Sequence, residues 1–170
     1  ALRINLLAAL AAAFTVANVY LFMRLWVKRP LPAMVAALSL GLSHTFWRHA
    51  SIAETYTLWT ALFTGELIML LQYSQTQRKG FLYGLALVNG LALAVHMLAC
   101  ISLVCYVLCL VVLWRRRLVC VRDAAVCILL WILGALPYEV LVLQQAVESQ
   151  DIIGTLASAL FGDRWQADVL

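Results

Sequence analysis

Long apolar runs, separated by short polar gaps, dominate the sequence. Crossing roughly 30 Å of hydrocarbon takes about 20 helical residues, because each residue adds about 1.5 Å. The runs therefore predict an all-α protein, a polytopic transmembrane helix bundle of about six spans over residues 1–143. The expected spans are about 4–26, 31–47, 55–73, 80–95, 98–114 and 124–143. Residues 144–170 form a mixed tail, which we expect to be interfacial or non-cytoplasmic.

Prolines and a histidine help to set these bounds. Pro30 and Pro32 fall where the first turn of the second span would lie, a position that tolerates proline. The run 80–114 is too long for one span, and we divide it near His96. Pro137 is expected to interrupt the sixth span.

The charged loops predict an orientation. Short loops rich in lysine and arginine stay in the cytoplasm. In a six-span arrangement the basic loops all fall on one side, and they contain Lys28, Arg29, Arg78, Lys79, Arg115, Arg116, Arg117 and Arg122. We therefore expect the opposite, non-cytoplasmic side to carry the segment 44–54, the turn at His96 and the tail.

Composition excludes most soluble classes. Of the 170 residues, 65% are hydrophobic and 12% charged, and the mean hydropathy is +0.96. Soluble domains carry about 25% charged residues, so an integral membrane protein in contact with the lipid bilayer is expected. The net charge of +4 comes mainly from the loops, and we expect no nucleic-acid partner.

The five cysteines lie in or beside apolar runs without a CxxC pair, so neither a disulfide nor a metal site is expected.

One short segment concentrates polar chemistry. His44, Arg48, His49 and Glu54 lie within residues 44–54. One interpretation is a loop at headgroup depth, in which Arg48 binds lipid phosphate and aromatic residues form a belt. The other is a short amphipathic helix that returns towards the membrane, because several residues of the segment are apolar. His44 and Arg48 would then share a face, being four residues apart.

Further polar residues occur at the same expected depth or deeper. His96 and Glu139 are placed at the outer ends of spans, and Asn89 lies inside the fourth. Glu66 lies within the third span, where a carboxylate needs a partner or water. We expect Glu66 to face the bundle interior in a structural role, with a proton or ion role as the alternative. The chain has no P-loop, GxSxG, HExxH or dinucleotide fingerprint, and no divalent metal is implied.

The segment FWRHASIAETYTL resembles the signature of the protein O-mannosyl-transferase family of GT-C-type membrane glycosyltransferases. The matching positions are Phe46, Trp47, Ala50, Ala53, Glu54, Tyr56 and Leu58. The segment GLALVNGLALAVHMLAC is similar to a later family segment that ends in a histidine, here His96. The family usually has Gly-Asn before this histidine, whereas Ala94 and Val95 stand here.

The resemblance implies a GT-C-like fold and the transfer of a sugar, mannose in this family, from a polyprenyl-phosphate donor to a protein or other acceptor. The membrane would be the bacterial inner membrane or that of the endoplasmic reticulum. Residues for the donor phosphate would be Arg48, His44, His49 and His96, and orienting or structural residues would be Glu54, Tyr56 and Trp47. The family's catalytic acid belongs to a first outer loop, expected upstream of Ala1 in a longer protein.

Three functions remain open from the sequence. A membrane glycosyltransferase, or the membrane core of one, is favoured by the polar signature. A non-catalytic integral membrane subunit that stabilises a larger complex is the alternative. A transporter is the least favoured, because matching halves with interrupted helices are not evident.

Overall fold

The computed structural model describes residues 2–52 and 55–161, and every regular element in these ranges is an α-helix. The expectation of an all-α fold is therefore confirmed. The helices are α1 (Leu2–Val27), α2 (Pro30–Gly41), α3 (His44–Ser51), α4 (Tyr56–Thr76), α5 (Lys79–Val95), α6 (Ala99–Arg115), α7 (Val121–Ser149) and α8 (Ile152–Phe161).

The structure differs from the predicted spans first at residues 31–47. Two helices occupy this run, because α2 ends at Gly41 and α3 begins at His44. Ser43 separates them as the N-cap of α3, and its hydroxyl accepts a hydrogen bond from the Phe46 backbone N–H at 3.3 Å. Serine favours such caps because its side chain replaces a missing backbone partner. At about 1.5 Å per residue, α2 is only about 18 Å long.

The second difference is at Pro137, which lies inside the continuous helix α7 and does not interrupt it. Proline is tolerated in apolar helices where neighbours satisfy the freed backbone group. Helix α7 therefore continues to Ser149, into the region predicted as tail, and α8 follows it. The hydroxyl of Tyr138 donates to the carbonyl of Ala159 at 3.0 Å, which fastens α8 to α7.

Two helices in the described ranges are long and apolar enough to cross a membrane, over Asn5–Val27 and Val121–Ser149. The expectation of six spans is not confirmed. Helices α2, α5 and α6 are apolar but shorter. Helix α4 has 21 residues, but its threonine, glutamate and glutamine side chains lower its hydropathy.

Side-chain bonds show the direction in which the helices run. Asn18 of α1 donates to the Ala61 carbonyl of α4 at 3.0 Å, and Gln75 of α4 donates to the Leu25 carbonyl of α1 at 3.4 Å. Helices α1 and α4 are therefore parallel. Helices α5 and α7 are parallel too, because Lys79 pairs with Asp123 at 2.6 Å near their starts and Asn89 bonds to Trp131 further along both helices. The loops after α1, α4 and α6 consequently lie at one end, which we call the basic end.

Two glycines bring α5 and α7 into close contact. A Cβ added to Gly90 would overlap the backbone carbonyl oxygen of Trp131, and one added to Gly134 would overlap that of Leu87. Both glycines are buried. Small residues allow helix backbones to approach closely in apolar surroundings, so this glycine pair sets the spacing between α5 and α7.

Candidate functional site

A cluster of aromatic rings lies at the end opposite the basic loops. The ring centroids of His49 and Tyr56 are 5.4 Å apart, and those of Tyr56 and His96 are 4.9 Å apart. The ring of Trp59 is also near His96, with 6.0 Å between their centroids. Three separate elements, α3, the start of α4 and the α5–α6 turn, thus meet here. We call this region the histidine end.

His96 occupies the turn between α5 and α6, where the sequence divides the long apolar run. Its Nδ1 atom accepts a hydrogen bond from the backbone N–H of Leu98 at 3.2 Å. A neutral imidazole has one donor and one acceptor nitrogen. The proton of neutral His96 is therefore on Nε2, which leaves an N–H donor that can stabilise an anionic group.

Helix α3 divides the residues expected to bind the donor phosphate into two sets. Successive residues are about 100° apart around a helix of 3.6 residues per turn, so His44 and Arg48 are only about 40° apart, whereas His49 lies about 100° beyond Arg48. His44 and Arg48 are exposed, and His49 is half-buried beside Tyr56. The structure therefore places His49 and His96 in the ring cluster and puts His44 and Arg48 on a neighbouring face.

The residues expected to orient or support the site have different positions. Tyr56 lies between His49 and His96, and its side chain is exposed. Trp47 is also exposed, and its side chain borders a groove between α3 and α1. Glu54 lies outside the described residues. Within 2–52 and 55–161, no group of three or more His, Cys, Asp or Glu side chains is placed to hold a metal ion.

A group of buried and half-buried polar side chains connects four helices below the ring cluster. We call it the polar hub, and it consists of Glu66, Asn89, Ser102, Tyr106 and Trp131. The two carboxylate oxygens of Glu66 accept bonds from the Asn89 amide at 3.2 Å and the Tyr106 hydroxyl at 2.8 Å. The Trp131 indole N–H donates to the Asn89 side-chain oxygen at 3.1 Å. Glu66 is fully buried, so these donors replace the solvent that a polar group needs.

The polar hub also stabilises the turn that contains His96. The Asn89 amide of α5 reaches the Ser102 hydroxyl at 2.9 Å and the Ala99 carbonyl at 3.4 Å, both on α6. These bonds join the two helices on either side of the turn. Since Glu66 belongs to the same helix as Tyr56, the polar hub ties α4 to both helices that flank His96.

A separate ion pair stabilises the basic end. Asp123 accepts from the Lys79 ammonium and from the Tyr83 hydroxyl, each at 2.6 Å. It also accepts from the backbone N–H of Cys120 at 2.8 Å, which caps α7. The hydrogen bond to Asp123 raises the pKa of Lys79 above its usual value. This contact fastens the start of α5 to the start of α7.

Comparison with known families adds to this geometry. A model described as the protein O-mannosyl-transferase TMEM260 N-terminal domain matches residues 1–121. The chain belongs to this family. The matched range contains the whole ring cluster, His44, Arg48 and Glu66. No curated protein and no solved structure matches the chain.

Family membership supports a glycosyltransferase in general, and together with the two apolar helices it indicates an integral membrane protein.

The sequence identified Glu66 as an interior carboxylate and Asn89 as a polar residue within a span. It did not identify Ser102, Tyr106 and Trp131 as their partners, because each also suits an ordinary apolar or interfacial helix.

Proposed function

We propose that this chain is the membrane core of a glycosyltransferase that moves a sugar, expected to be mannose, from a polyprenyl-phosphate donor to a hydroxyl of a protein. The observation that carries the proposal is the family match over residues 1–121, which contains the ring cluster together with His44 and Arg48. The basic end would face the cytoplasm, as short positive loops do, and the histidine end would face the opposite side. A lipid-linked donor carries its phosphate at the depth of the lipid headgroups, where we expect the histidine end to lie.

In this reaction the acceptor oxygen attacks the anomeric carbon of the sugar. The bond from that carbon to the phosphate oxygen breaks, and the bonding electrons leave with the polyprenyl phosphate. Arg48 and His44 would stabilise the negative charge that develops on the phosphate, and His96 would donate from Nε2. A carboxylate would take the acceptor proton. We do not assign that role to Glu54, the acid of the signature, which we take as orienting or structural.

Replacing Arg48 by lysine tests the phosphate role. Lysine keeps the charge but loses the planar group that can form two parallel hydrogen bonds to a phosphate. We expect mannose transfer by the full-length protein to fall about tenfold or more, corresponding to about 1.4 kcal/mol or more of transition-state stabilisation. The midpoint of thermal unfolding should not change, because Arg48 is exposed. Transfer and unfolding would be measured on the same preparations.

Arg116→Lys is the matched control, since Arg116 is also exposed but lies at the basic end. Its transfer rate should equal that of the unmodified protein. Unchanged transfer in Arg48→Lys would remove Arg48 from the site. If the unmodified full-length protein neither binds the donor nor transfers its sugar, the alternative of a non-catalytic membrane subunit is favoured.

A further inference from the structure

The separation of α3 from α2 creates a groove along α1. Because the chain turns at Ser43, α3 lies against the first half of α1 and not in line with α2. The groove encloses about 530 Å³. It follows α1 from Asn5 to Val16, a distance of about 16 Å at about 1.5 Å per residue. Its walls are apolar apart from Asn5 and Ser51.

Small side chains account for the space in this groove. Ala9 and Ala13 lie four residues apart on one face of α1, and both are exposed. Ala50 of α3 and Gly41 of α2 also line it. At the three alanines a larger apolar side chain would be compatible with the helix but would fill the groove, whereas a Cβ at Gly41 would already lie 3.3 Å from a Val16 methyl group.

Cationic side chains lie beside the groove. Trp47 and Ser51 of α3 line it. Around the helix axis His44 is about 20° from Ser51, and Arg48 is about 60° from Ser51, taking about 100° per residue. His44 and Arg48 are exposed at this border. The apolar groove therefore has a cationic margin on α3, which is suited to an amphiphile with an anionic head.

We propose that the groove binds the isoprenoid chain of the lipid-linked donor, with the donor phosphate at His44 and Arg48; this inference rests on the proposed function. A single chain attached directly to a phosphate matches a groove that follows one helix and has its cations at the border. A diacyl phospholipid would leave a second chain and a glycerol unit outside this groove. The groove thereby distinguishes the donor from the surrounding bilayer lipid.

Affinity in this groove arises from packing and not from the hydrophobic effect. A chain that leaves the bilayer exchanges one apolar environment for another, so the gain is in van der Waals contact and fit. Filling the groove should therefore reduce binding of a long isoprenoid phosphate moderately, by about tenfold. It should leave the binding of a phosphate with a single isoprene unit unaffected, since such a molecule is too short to follow the groove and is held mainly by the cations.

The test uses the double variant Ala9→Phe with Ala13→Phe in the full-length protein, in nanodiscs of phosphatidylcholine. Binding of undecaprenyl phosphate and of isopentenyl monophosphate would be measured separately. Ala17→Phe is the matched control, because Ala17 is exposed one turn further along α1 and does not line the groove. We expect the double variant to bind undecaprenyl phosphate about tenfold more weakly. Binding of isopentenyl monophosphate should not change, and Ala17→Phe should match the unmodified protein in both measurements.

The outcomes separate this inference from the proposed function. Unchanged binding of undecaprenyl phosphate to the double variant would overturn the groove assignment, while the proposed function would stand. Equal displacement of undecaprenyl phosphate by phosphatidylglycerol would show a general acyl-chain groove and would also overturn the assignment. If the unmodified protein binds neither isoprenoid phosphate, both the groove assignment and the proposed donor fail.

Discussion

Replacing Asn89 by leucine is expected to lower the free energy of unfolding by roughly 2–5 kcal/mol. The Asn89 side chain contacts Glu66, Ser102, Trp131 and the Ala99 carbonyl, and it is buried. Hydrogen bonds between membrane helices contribute about 0.6–2 kcal/mol each. Leucine has a similar volume, so the loss reflects missing bonds and the polar groups left without a partner, and not a cavity.

Tyr106→Phe is the graded control for this prediction. It removes the bond from the Tyr106 hydroxyl to Glu66 and keeps the ring. We expect a loss of about 0.6–2 kcal/mol for this variant. Unfolding in detergent, followed by far-UV circular dichroism, would measure both changes. Equal stability of Asn89→Leu and the unmodified protein would show that the polar hub does not hold the helices together.

Gly134→Ala is expected to destabilise the protein by about 1–3 kcal/mol or more, in the range of overpacked cores. The new Cβ would overlap the Leu87 carbonyl oxygen, which is a backbone atom and cannot rotate away. Helices α5 and α7 would have to separate, which would disturb the adjacent bond between Asn89 and Trp131. The midpoint of thermal unfolding in detergent measures this effect.

Gly80→Ala provides a control with the opposite expected sign. Gly80 is the second residue of α5, and nothing lies within 4 Å of an added Cβ. Alanine favours a helix over glycine by up to about 1 kcal/mol, so the unfolding midpoint should remain the same or rise. If Gly134→Ala also leaves it unchanged or raises it, α5 and α7 do not approach each other as the structure shows.

The sequence predicted the helices that begin or end at strong signals. The predicted division of the run 80–114 at His96 matches the turn between α5 and α6. This division was predictable because the run is too long for one span and His96 is a polar residue near its middle. The break between α2 and α3 was missed. Apolar residues continue through Leu42 and resume at Phe46, so the pattern hides the effect of a single serine cap.

The candidate site was predictable in its residue types but not in its arrangement. The sequence placed His96 near the segment 44–54, and the structure links the two through Tyr56, whose ring lies near those of both His49 and His96. It could not show that His49 and Arg48, although adjacent, belong to different surroundings. That difference depends on how α3 is rotated against α1 and α4, which is decided by packing. The groove along α1 was hidden for the same reason.

Photocrosslinking of the donor tests most directly whether the histidine end receives the lipid-linked sugar. p-Benzoylphenylalanine would replace Trp47 or Trp114 in the full-length protein. Both tryptophans are exposed, but Trp47 borders the groove and Trp114 lies near the basic end. After irradiation with radiolabelled polyprenyl-phosphate mannose, we expect a labelled protein band from position 47 and none above background from position 114. Labelling at position 114 that equals or exceeds labelling at position 47 would contradict it.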